Sequence, residues 1–400
     1  MIYDKASLVH IPSGVNSGTL YNVLPNTTDG DFDFSRGSSA TRVNKYGLIE
    51  TVGDDTPRLD YPLLDGVVQD CPTLLLEPSR TNLITYSEDF SQSYWNKLNN
   101  VTVSSEKVIS PDGTLNASQL IFDGTANGRI EKNITGLTQG ADYSVSVYAR
   151  VSSGTQVVNF GSVADFPYTL TTEWQRLTST QAENDTVGYP RLKCNDDVTI
   201  EVWGFQLEQG SYPTSYIPTS GEVGGVTRSA DAATGAGTSD TFNDSEGVLF
   251  ADIAALANDS NLKQINLFDG GNNRITISVQ FSILSISIVS NVGGTIQTLY
   301  SWDVDINTND RHKIVIRYKE NDSKLYYNGL LQTPTTYTGS WFNDGVLDNF
   351  SFDKSGAFSF YGKIYQAMIF NEALSDNELE TITSYTSFNQ MAKALLYTIE

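Results

Sequence analysis

Carboxylates two residues apart on a strand point to one face, and a retaining glycosidase needs such a pair about 5–5.5 Å apart. Three stretches approach that spacing. Asp29-Gly30-Asp31-Phe32-Asp33 has it but lies beside a turn in irregular sequence. Asp376-Asn377-Glu378-Leu379-Glu380 falls on a helix start, where i and i+2 do not share a face. Asp303-Val304-Asp305 reads as a strand edge. None is taken as a catalytic pair, so the chain reads as non-enzymatic. Acids assembled from separate strands or chains would leave no such signal. Any Ser-His-Asp triad would need His10 or His312, the only histidines. His312, between Arg311 and Lys313 at a strand start, reads as solvated. Phosphate-loop and dinucleotide glycine patterns are absent. Cys71 and Cys194 have neither zinc nor redox spacing and read as free thiols. The turn Asp269-Gly270-Gly271-Asn272-Asn273 offers oxygens suited to calcium, but it lacks the EF-hand spacing and reads as a plain hairpin turn. No cofactor and no metal is expected.

Binding chemistry is the better match. A sugar's C–H face packs on an aromatic ring while its hydroxyls need polar partners. The aromatic candidates are Tyr94, Trp95, Tyr168, Trp174, Tyr189, Trp302 and Trp341. Tyr94-Trp95 and Trp341-Phe342 lie in polar loops and are the favoured glycan contacts, whereas Trp174 and Trp203 sit in apolar alternation and read as core.

Strands must position these residues. Tyr143, Val145 and Val147 alternate with polar residues, as do the runs 174–178, 198–205 and 273–279. Turns such as Pro111-Asp112-Gly113 separate them, and Asn328-Gly329 is a strong hairpin signal. Helix is scarce: Ser375 is an N-cap candidate with Glu378 three residues on, and 390–397 could close the chain with a turn or short helix. No heptad repeat indicates a coiled-coil shaft. The fold class is therefore all-β: an irregular N-terminal segment, 1–81, followed by two antiparallel β-sandwich (jelly-roll) domains at 82–220 and 246–390. Small and polar residues at 221–245 read as a linker, and 391–400 as a tail. The segment 1–81 holds apolar residues only in short pieces. It would be ordered by docking or oligomerisation, or by folding as hairpins onto the next domain.

The 400 residues carry a formal net charge of −22 and only 18% charged residues. Such a surface is repelled by DNA and anionic membranes, so nucleic-acid binding is excluded from the expectation. The N-terminus lacks a basic and apolar signal pattern, and no apolar run approaches the roughly 18 residues of a membrane helix, so membrane insertion is not expected.

Three stretches carry a resemblance. The first is Phe34-Ser35-Arg36-Gly37-Ser38-Ser39-Ala40-Thr41-Arg42-Val43-Asn44, with Gly47-Leu48-Ile49-Glu50, Pro57-Arg58-Leu59-Asp60-Tyr61 and Leu75-Leu76-Glu77-Pro78-Ser79-Arg80-Thr81-Asn82-Leu83. It resembles the N-terminal part of bacteriophage head-fibre and tail-fibre (spike) proteins, notably those of crAss-like and marine phages. The second, Gln206 to Thr219, looks like the closing strand and tail of a carbohydrate-binding-module-like sandwich. The third, Gly362 to Phe370 with Ala373 to Leu379, resembles the last strand and helix of concanavalin-A-like, laminin-G-like domains. The resemblance implies a structural subunit on the exterior of a phage virion, with other virion proteins as partners. A homotrimer is expected, and host surface glycans are the possible ligand. A polysaccharide depolymerase and a ligand-free decoration protein are the alternatives. Phe34, Arg36, Arg42, Arg58 and Arg80 are the candidate residues for virion or subunit contacts, since loop arginines can pair with carboxylates there.

Overall fold

A computed structural model of the chain describes residues 2–385, apart from 26, 65–66, 260, 272, 281–282, 293–294, 306–309, 335 and 340–345. The regular structure of the described residues is almost all strand, in several antiparallel sheets, with one α-helix at Asp376–Thr383. That helix is the one expected. Ser375 accepts from Glu378 N while the Glu378 carboxylate accepts from Ser375 N at 2.9 Å, a reciprocal cap. Asn328 (φ 47°) and Gly329 (φ 83°) form the tight turn between Lys324–Tyr327 and Leu330–Gln332. Among the described residues no helix is long and apolar enough to cross a membrane. The expected closing turn at 390–397 lies outside them.

The chain forms two units. The central unit comprises Ser38–Thr51 and Ser79–Ser229; the terminal unit comprises Met1–Gly37, Val52–Pro78 and Ala230–Glu400. The expected separate body at 1–81 is therefore corrected: its residues are divided between the two units. Strands Ala6–His10 and Thr73–Leu76 both pair with Gly362–Phe370, and Arg58–Asp60 extends that sheet by pairing with Thr73–Leu76. Short apolar pieces that cannot enclose a core alone bury Leu8, Phe32, Leu74 and Leu76 by joining one already formed. The expected linker at 221–245 is corrected as well. Val226–Arg228 pairs with Arg80–Asn82, Ala232–Thr234 pairs with Phe32–Ser35, and Arg228, Asp231 and Ala236 are buried.

In the terminal unit an eight-stranded sheet faces a six-stranded one across a shared core that includes Leu249, Ile265, Ile277, Ile286, Ile314 and Trp302. Strand Glu246–Ala255 is buried on both faces. Leu249, Ala251 and Ile253 point into the sandwich, while Val248 and Phe250 pack with Leu374, Leu379 and Ile382 around the helix. Double burial is why Val248 to Ala251 reads as an apolar run rather than an alternation.

In the central unit two five-stranded sheets enclose Phe122, Ile130, Val145, Val147, Phe160, Leu192, Ile200 and Phe205. The 13-residue strand Asp197–Gln209 lies in the middle of one sheet, between Leu115–Asp123 and Asp142–Val151. Its register shifts at Gly204, whose φ of +66° suits glycine. A Cβ at that position would stand 3.2 Å from the Tyr216 ring and 3.3 Å from Tyr148.

The sequence motifs are explained by this closing strand. Residues 212–219 fold back along it. Gln206 Oε1 accepts from Ile217 N at 2.7 Å, and Glu208 accepts from Thr214 N at 2.8 Å and Thr214 Oγ1 at 2.6 Å. Asn82, fully buried, donates to the carbonyls of Phe205 and Ile217 and accepts from Ile84 N and Leu207 N. Thr41 Oγ1 donates to the Tyr216 carbonyl at 2.5 Å.

Candidate functional site

The central unit carries an open groove of about 590 Å³. It runs beside strand Arg80–Asn82 and the turn before Asp142–Val151. Ser79, Thr81, Thr135, Thr138, Arg80 and Gln209 supply hydroxyl, guanidinium and amide groups, with Leu83, Leu137 and Tyr143 as apolar wall. Tyr143 is locked in place, its phenol accepting from Thr138 N at 3.0 Å. Arg80 lies over the Tyr212 ring, 5.5 Å from its centroid, and 3.8 Å from Glu208 Oε2. Gly210 allows this, because a Cβ there would meet the guanidinium at 2.6 Å. Mixed donors and acceptors along an open channel suit a chain of hydroxyls.

A second, smaller pocket of about 290 Å³ lies on the other face of the closing strand. Glu88, Asp112, Glu50, Trp203 and Tyr216 line it. Tyr216 Oη donates to Glu88 Oε1 at 2.9 Å, and Asn116 Nδ2 reaches both Glu88 Oε2 at 3.1 Å and Asp112 Oδ2 at 3.2 Å. The two acids are pushed in opposite directions. Burial raises the Glu88 pKa and the neighbouring Asp112 adds to it, outweighing the Tyr216 bond. Burial also presses on Asp112, but bonds from Ser110, Thr114 and Asn116 outweigh it and hold Asp112 low. The Tyr216 phenol rises well above its ordinary value through burial and then the Glu88 charge. Spacing in sequence could not reveal this pair, because the acids come from separate loops.

The favoured glycan contacts fare differently. Trp95 is 2% exposed, stacked on Phe90 at 5.1 Å, with Nε1 donating to Tyr86 O, so it is core and not a platform. Its loop position misled because the loop folds its ring inward, where the N–H finds a carbonyl. Tyr94 is half-buried, with Lys132 Nζ 4.2 Å from its ring centroid. Trp341 and Phe342 lie outside the described residues. Trp203 is core, as read, whereas Trp174 is only partly buried, its ring 4.7 Å from the Arg150 guanidinium. Tyr168 is partly buried, Tyr189 exposed and Trp302 buried.

Of the candidate contact residues, Phe34, Arg36 and Arg58 are interior. Arg36 Nη1 meets Asp231 Oδ1 at 3.1 Å; Arg58 pairs with Glu77 at 2.6 Å and with Asp231. Burial opposes the Arg58 charge, and Asp231 and Glu77 outweigh it, so its pKa is raised. Glu77 N also donates to Asp231 at 2.8 Å. The expectation that Arg36 and Arg58 face another subunit is corrected: the carboxylates they pair with come from the same chain. Arg42 pairs with Glu50 at 2.7 Å, partly exposed, and Arg80 lines the groove.

The remaining chemistry is structural. His312 is buried, not solvated, with Nδ1 sharing a 2.9 Å bond with the Tyr327 hydroxyl. His10 is buried beside Phe32 and bonded to Asn22 at 2.8 Å. The Asp269 carboxylate accepts from Gly271 N, Asn273 N and Asn273 Nδ2, closing its own turn. Among the described residues no group of three or more His, Cys, Asp or Glu side chains could hold a metal.

Fold and grooves define an all-β, two-unit protein of β-sandwich type. No family model and no curated protein matches the chain. Among solved structures it is similar to a leech intramolecular trans-sialidase (17% identity, 36% of this chain and 24% of that one, TM-score 0.29). It is also similar to the CBM22-1 xylan-binding domain of Paenibacillus barcinonensis Xyn10C (11%, 34% and 94%, TM-score 0.26). The tandem CBM22-1–CBM22-2 domain of the same protein is a third such structure (9%, 74% and 99%, TM-score 0.28). The chain thus spans about a quarter of the trans-sialidase's length. At these scores the likeness says nothing of ligand or partner.

Proposed function

We propose that this chain is a structural subunit on the exterior of a bacteriophage, a head fibre or tail fibre, whose central unit attaches to surface glycans. The hydroxyl-lined groove of about 590 Å³ is the observation that carries the binding part. The resemblance of residues 34–44, 57–61 and 75–83 to phage fibre proteins supports the virion part. Several copies, as in a homotrimer, would turn weak single-site binding into avidity. Glycan-array and whole-cell binding test the first part, and background-level signal on both sinks it. Labelled antibody on intact particles tests the second, with the protein expected on the capsid or tail surface.

One observation favours a second reading, a glycan-cleaving spike. Glu88 and Asp112 share Asn116 and are shifted in opposite directions, as an acid and a base would be. Sustained release of new reducing ends from host surface polysaccharide would establish it in place of the non-enzymatic reading.

A further inference from the structure

We propose that the pocket lined by Glu88, Asp112, Trp203 and Tyr216 seats one neutral sugar residue, with a sugar hydroxyl bridging Trp203 Nε1 and the Glu88 carboxylate. This deepens the glycan-attachment reading and rests on it. The pocket shares no lining residue with the larger groove.

The first ground is an unmet donor. Trp203 is 1% exposed and lines the pocket, and its Nε1 is buried without a hydrogen-bond partner. The indole N–H helps hold the Glu88 charge, yet completes no bond to it. Buried donors are ordinarily paired, so an acceptor is called for here. The second ground is the facing acceptor. Each Glu88 oxygen takes one bond, from Tyr216 and from Asn116, and a carboxylate oxygen can accept another. The missing group must accept from the indole and donate to the carboxylate. A hydroxyl does both. An ammonium donates only, and would leave the indole unpaired.

Size and charge narrow the class. A water fills about 30 Å³ of liquid, and this pocket offers about 290 Å³. That volume sits at the lower end of ligand pockets, roughly one ring rather than a chain segment. Glu88 and Asp112 make the lining acidic, Glu50 being paired with Arg42, so uronic and sialic acids are repelled and neutral sugars admitted. Exposed Thr51, Thr114 and Pro218 form the mouth, giving hydroxyls and an apolar edge to the next sugar unit.

The test uses the full chain labelled with 15N at tryptophan indoles, titrated with neutral hexose and pentose oligosaccharides and with glucuronate-bearing counterparts. The Trp203 resonance is assigned by its loss in Trp203→Phe. The expected result is a shift of that resonance with neutral sugars and none with acidic ones. Trp203→Phe and Glu88→Gln should each weaken pocket binding at least tenfold. Should Trp203→Phe fail to fold, Glu88→Gln, nearly isosteric, carries the mutational arm, and the indole is assigned by elimination among the other tryptophans. Sugar binding that leaves the Trp203 indole unmoved and survives Glu88→Gln overturns the pocket alone; the N–H then faces only water. Binding abolished by Thr138→Trp but indifferent to Glu88→Gln assigns the ligand to the groove and overturns it likewise. No binding of any glycan sinks the attachment reading as well.

Discussion

The guanidinium of Arg36 meets the carboxylate of Asp231 at 3.1 Å across 195 positions of sequence, with both side chains fully buried. Arg58 and Glu77 complete a four-member network whose formal charges cancel. It draws on residues 36, 58, 77 and 231, so it fixes the N-terminal segments and the stretch near 231 to one another inside the terminal unit.

Removing one member leaves an uncompensated buried charge. Asp231→Asn is expected to destabilise the chain by roughly 3–5 kcal/mol. Urea denaturation followed by circular dichroism checks this. A midpoint within error of wild type would show that the network contributes nothing net.

Burial pushes the His10 pKa down to about 4, more than its bond to Asn22 can offset. The unfolded chain, with histidine near 6.5, then binds the proton first. Stability from this group is fully present above about pH 6.5 and is lost as pH falls toward 4. A depression of that size corresponds to about 3 kcal/mol. His10→Gln should flatten the stability profile between pH 4 and 6.5, measured by denaturant midpoints across that window.

Gly204 holds a left-handed backbone against two tyrosine rings. Gly204→Ala adds a conformational cost of about 1–2 kcal/mol and displaces Tyr216. Thermal unfolding should fall, and hydrogen exchange should rise at residues 212–219. An unchanged exchange pattern there would count against this account of the tail.

Asn82 answers four backbone groups with one side chain. Asn82→Ala strips all four and should cost on the order of 3 kcal/mol or more. Soluble yield and melting temperature report it. A mild effect would mean that water replaces the amide.

Thr138 is exposed on the groove wall. Thr138→Trp should fill the channel and lower glycan affinity at least tenfold while the melting temperature stays near wild type. Isothermal titration distinguishes blockage from unfolding.

The two sandwich cores were legible because their strands alternate. Val145 and Val147, and Ile275, Ile277 and Val279, repeat at the period of two that a half-buried sheet imposes. The helix cap at Ser375 and the turn at Asn328-Gly329 were legible for the same reason: each is a local rule among neighbouring residues. Trp95 was misplaced because a polar loop does not reveal which way it folds. Glu88 and Asp112 were missed because their meeting depends on Asn116 and Tyr216, which spacing does not connect.

Sequence alone determined an all-β chain, its hairpins, its cap and its acidity, since these follow from periodicity, turn chemistry and composition. Tertiary structure decided that Arg36, Arg58, Glu77 and Asp231 share one interior. It decided likewise that residues 1–81 are divided between two units and that Trp203, Glu88 and Asp112 line one pocket. Those outcomes turn on contacts between residues far apart in the chain, and no local pattern records them.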